Sequence, residues 1–68
     1  MRINLLEIVD YLREHHDMMF VLPGKDGALV WDPAIEDVTV IWGDFHGTPE
    51  ENVAEARLAL QREHAWLN

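Results

Sequence analysis

Sixty-eight residues make one domain at most, spanning 1–68, and a chain this short buries only about 60% of the surface its unfolded form exposes. An apolar fraction of 49% excludes disorder, and the absence of cysteine excludes disulfides and cysteine-ligated zinc, which leaves self-association as the usual support for so small a core. The net charge of −8 comes wholly from the segment Asp26 to Ala56, where Asp26, Asp32, Glu36, Asp37, Asp44, Glu50, Glu51 and Glu55 stand with no Lys or Arg. A field of one sign repels nucleic acid and anionic lipid and draws basic surfaces, so no direct nucleic-acid binding is expected.

The first element opens at Asn4, an N-cap residue with Glu7 three positions on, and Leu5, Ile8, Val9 and Leu12 follow at helical spacing. The pattern predicts a helix from Leu5 to His16, closed by His15 and His16 at its negative end. Acids interrupt this apolar stretch, so it is not a signal peptide, and no run approaches the roughly 20 apolar residues of a membrane span. A cytoplasmic protein without a membrane partner is the expectation.

Next, MMFVL and ALVW flank PGKDG, whose Pro23, Gly24 and Gly27 supply turn geometry, and together they predict a β-hairpin. Asp32-Pro33 ends its second strand, and DVTVIW, Asp37 to Trp42, predicts a third. After GDFHG, Thr48 reads as an N-cap, Pro49 as the first helical position and Glu51 as the partner in a capping box. Val53, Ala56, Leu60, His64 and Leu67 share one side of a helix predicted from Pro49 to Trp66.

The order αβββα predicts an α+β two-layer sandwich, a three-stranded antiparallel meander with both helices on one face. Pairing Val21 with Leu29 and Trp31 with Val38 puts Met19, Val21, Leu29, Trp31, Val38, Val40 and Trp42 on the face chosen as core. The opposite face, with Met18, Phe20, Leu22, Ala28, Val30, Thr39 and Ile41, would then be a bare apolar patch of the kind that marks an interface. A one-residue slip in the hairpin exchanges the sides, because neither parity is polar.

No chemistry is legible. Serine and cysteine are both missing, the glycine loops match no phosphate-binding pattern, and His15, His16, His46 and His64 lack metal-ligand spacing. His64, on an apolar stripe, reads as a hydrogen-bonded boundary residue. The expectation is a protein with no catalytic residues, no metal and no cofactor. It is a binding module that docks on another protein with a basic or apolar surface through Met18, Phe20, Leu22, Val30, Ile41, Phe45 and Trp66, steered by the eight acids above. Inhibitors and adaptors, including phage or mobile-element proteins of the anti-defence and host-takeover type, have this size and composition, though no motif points to a family. Two alternatives stand beside it: an acidic mimic occupying a DNA- or RNA-binding channel of its target, and a homodimer closed through the bare face.

Overall fold

The computed structural model describes residues 4–65. Helix α1 spans Leu5–Glu14, strands β1, β2 and β3 span Met19–Val21, Gly27–Asp32 and Asp37–Trp42, and helix α2 spans Pro49–Ala65. The three strands form one antiparallel sheet in the order β1-β2-β3, so the α+β class, the element order and the meander are those the sequence predicts.

Local chemistry sets the boundaries. The Asn4 side-chain oxygen accepts from the N–H groups of Leu6 at 3.1 Å and Glu7 at 3.3 Å, fixing the start of α1. The helix stops at Glu14, two residues before the predicted end, because His15 leaves helical geometry (φ −129°, ψ 77°) and acts as the C-cap. At α2 the predicted capping box is complete: Thr48 Oγ1 accepts from the Glu51 N–H at 3.2 Å, and Glu51 Oε1 accepts from the Thr48 N–H at 3.4 Å. Pro23 and Gly24 occupy the centre of the first turn, where Gly24 has φ +70° and the Lys25 N–H reaches the Leu22 carbonyl, the geometry of a type II turn. Glu36 closes the second turn in the left-handed region at φ 51°. The predicted end of α2 at Trp66 lies outside the described residues.

The register departs from expectation in the hairpin. Phe20 pairs with Leu29 and Val21 with Ala28, one residue away from the predicted alignment, whereas Trp31 pairs with Val38 as predicted. One face therefore carries Met19, Val21, Ala28, Val30, Thr39 and Ile41, and the other carries Phe20, Leu29, Trp31, Val38, Val40 and Trp42.

The second departure is the placement of the helices. Ala28, Val30 and Ile41 form one buried cluster with Phe45 and with Ala56 of α2, and Met19, Val21, Ala59 and Leu60 pack against it. Leu12 of α1 (1% exposed) and Leu29 (7%) are equally buried but stand outside that cluster. Leu29 points from the other face, α1 packs on β2 and β3, and His16, just beyond α1, stacks on Trp31 at 3.7 Å. The helices thus divide between the two faces, giving three layers instead of two.

That division explains why neither parity of the hairpin is polar. Strand β2 is buried at five of its six positions because it has a helix above and a helix below. An ion pair holds α1 from its far end: Arg13 Nε donates to Asp37 Oδ1 at 2.9 Å, at the start of β3. The hydrogen bond from Arg13 and another from the Val38 N–H lower the Asp37 pKa below its usual 3.8.

Two measurements test these local devices. Thr48→Ala removes the cap of α2 and should lower stability by about 1 kcal/mol in urea denaturation, with an unchanged slope. Because folding depresses the Asp37 pKa, its contribution is present above the usual carboxylate range and disappears as pH falls through the folded value. Asp37→Asn should therefore lower Tm by a few degrees at pH 7, as expected for a half-exposed pair, and the difference should shrink steadily as pH is lowered through the acidic range.

Candidate functional site

Two surfaces remain once both helices are seated, and each is an end of the sheet that one helix fails to reach. The first is on the α1 side, at the hairpin end. Trp42, the last residue of β3, is 68% exposed and Val40, on the same face, is 36% exposed. Trp42 pairs with Gly27, and its ring lies over that glycine so closely that a Cβ there would sit 2.8 Å from the indole. The glycine thus leaves room for the ring to lie against the strand while its outer face stays in water.

Two acids flank this end of the sheet in sequence, Asp26 just before Gly27 and Asp44 two residues after Trp42. The Asp26 carbonyl accepts from the Gly43 N–H at 2.9 Å, which ties the first turn to the residue after Trp42. The Asp26 and Asp44 carboxylates are largely exposed, and the His46 ring lies 3.8 Å from one and 3.1 Å from the other. Protonated, His46 would neutralise part of this cluster.

The second surface is a groove on the α2 side. α2 packs most closely against β3, and a groove of about 820 Å³ opens between the helix and the part of the sheet that carries Met19 and Asp32. Met18, Met19, Val30, Trp31, Val53 and Leu60 supply its apolar lining, with Arg57, Gln61, His16, His64 and the carboxylates of Asp17 and Asp32 as polar groups.

At one end lies the most buried charge in the described chain. Asp32 is 2% exposed, and its two oxygens lie 2.9 and 2.8 Å from His64 Nε2, while Oδ1 also accepts from the Ala34 N–H at 3.0 Å. The Asp32 bond to Ala34 forms the turn that begins at Asp32-Pro33, and the bond from His64 fastens the last turns of α2 to the sheet. His64 is thus the hydrogen-bonded boundary residue that its position on the stripe suggests. His15 and His16 serve the end of α1, their ring nitrogens 2.9 Å from the Tyr11 carbonyl and 2.6 Å from the Arg13 carbonyl. Among the described residues no three His, Cys, Asp or Glu side chains gather as metal ligands, and no helix is long and apolar enough to cross a membrane.

The predicted contact residues are scattered by the actual register. Val30 (4% exposed), Ile41 (1%) and Phe45 (5%) are interior residues of the cluster that α2 covers, so they present no open protein-docking face, although Val30 borders the groove. Phe20 and Leu22 are half-buried on the α1 side, Met18 is exposed and lines the groove, and Trp66 lies outside the described residues. Of the eight acids, Asp32 is inside and Asp37 is engaged by Arg13; Asp26, Glu36, Asp44, Glu50, Glu51 and Glu55 are exposed. Trp42, assigned from sequence to the core, is the most exposed aromatic ring described on the sheet. Its signal was Gly27, a glycine inside a strand, whose meaning depends on knowing which residue lies opposite.

Comparison with family models, with curated proteins and with solved structures finds no match, so the site must be interpreted from its own chemistry.

The buried pair gives a direct test of how α2 is held. His64→Leu strands the Asp32 carboxylate and should destabilise the fold by about 3 kcal/mol in urea denaturation, whereas the double change Asp32→Leu/His64→Leu should recover a large part of that loss.

Proposed function

We propose that the protein is a non-catalytic binding module that docks on a basic surface of another protein through Trp42. The observation that carries this reading is the ring itself: a tryptophan 68% exposed, lying over Gly27, with the largely exposed carboxylates of Asp26 and Asp44 on residues one and two positions from Gly27 and Trp42. An exposed rigid indole contributes more to a protein contact than most residues because it buries a large area with little loss of conformational freedom. Its face also attracts guanidinium or ammonium groups, and the neighbouring acids add to that attraction. The net charge of −8 supplies the long-range part, raising the encounter rate with a cationic partner and repelling anionic ones. The protein would act as an inhibitor or adaptor by occupying that surface. Val40 extends the contact along the edge strand, and Leu22 adds to it from the hairpin.

Affinity capture from cell extract with the wild-type chain, Trp42→Ser and Asp26→Lys/Asp44→Lys tests the proposal. A basic protein retained by wild type at low salt and lost with both variants is the expected result, with affinity reduced at least tenfold by Trp42→Ser in a direct titration of that protein. Retention undiminished by Trp42→Ser overturns it. Displacement of every retained protein by duplex DNA, with Trp42 dispensable, would replace it with nucleic-acid mimicry, and a dimer in sedimentation that Trp42→Ser dissociates would replace it with self-association.

A further inference from the structure

The groove between α2 and the sheet plays no part in docking through Trp42, which lies on the opposite face. We infer that this groove is a binding site for a small apolar carboxylic acid, one with a flat or linear hydrocarbon body and a single carboxylate.

Its dimensions suit such a ligand. A volume of about 820 Å³ lies within the range of roughly 300–1,000 Å³ typical of small-molecule sites, and the lining is mainly apolar with a few polar groups at its margin. Met18 and Met19 make an adaptable wall, since unbranched thioether chains adjust to the shape of what they cover. Leu60 faces them from α2.

Charge selects the head group. Arg57 is the one Lys or Arg lining the groove, and no carboxylate lies within ion-pair distance of it among the described residues. In a chain with 13 acids and five Lys or Arg, a guanidinium left without a carboxylate beside an apolar groove is available to an incoming anion, which it can hold through two parallel hydrogen bonds. Two acids also line the groove: Asp32 is already engaged by His64 Nε2 and the Ala34 N–H, and Asp17 is exposed to water and forms no ion pair with Arg57 among the described residues. The acidic surface opposes the ligand at long range but is screened beyond about 8 Å at physiological salt. A bare anion such as acetate would gain too little from Arg57 alone; the apolar body provides the rest by leaving water.

Titration of the 68-residue chain with sodium 2-naphthoate, followed by amide NMR shifts, tests the site. The expected result is saturable shifts centred on Met19, Val30, Trp31 and Leu60. Affinity should fall about tenfold for Arg57→Gln, an exposed change that leaves the core intact, and should fall similarly when 2-naphthalenemethanol replaces the acid. The alcohol should bind wild type and Arg57→Gln alike. Absence of saturable shifts at millimolar ligand, shifts centred on Trp42, or binding of the acid unaffected by Arg57→Gln would each overturn the inference.

Discussion

The arrangement depends on one constraint, the burial of β2 on both faces. A strand whose Leu29 points one way and whose Ala28 and Val30 point the other cannot be covered by two helices on the same side. With only 68 residues, the chain has one helix to give to each face, and its three layers are the consequence. A helix of ten residues and one of 17 are too narrow to roof a three-stranded sheet completely, so each face keeps an uncovered portion. On the α1 side that portion exposes Trp42; on the α2 side it becomes the groove.

The two openings have opposite character. Trp42 is a projecting ring among acids, suited to a broad cationic surface, whereas the groove is a recess with an arginine at its margin, suited to a small anionic molecule. They share a sheet but face away from one another, so occupation of one leaves the other accessible. The Asp32–His64 pair connects them indirectly, since it holds the end of α2 against the strand that carries Leu29 on its other face. A buried carboxylate is costly to leave without its hydrogen-bond partner, and here that bond ties the last turns of α2, one wall of the groove, to the end of β2.

The fold was largely legible because its boundaries are written in local chemistry. Asn4 and Thr48 cap where their sequence positions indicate, Pro23-Gly24 makes the first turn, and Pro33 ends β2. The errors were short-range in sequence and large in consequence. His15 left the helix earlier than the charge pattern suggested, and the hairpin closed one residue from the expected alignment. That single step exchanged inside and outside for β1 relative to β2, and the expectation of one covered face then assigned Val30 and Ile41 to the surface and Trp42 to the core.

By itself, then, the sequence determined the elements, their order, the caps and the sign of the surface, because each depends on residues within a turn or two of one another. Only the tertiary structure decided which face each helix takes, that Asp32 meets His64 across 32 positions, and that Trp42 rests on Gly27 with its outer face in water. The physical reason is that alternation carries register information only when one parity is polar. In this hairpin both parities are apolar, so packing of the helices, not pattern, selects the alignment, and the exposed ring and the groove follow from which face each helix covers.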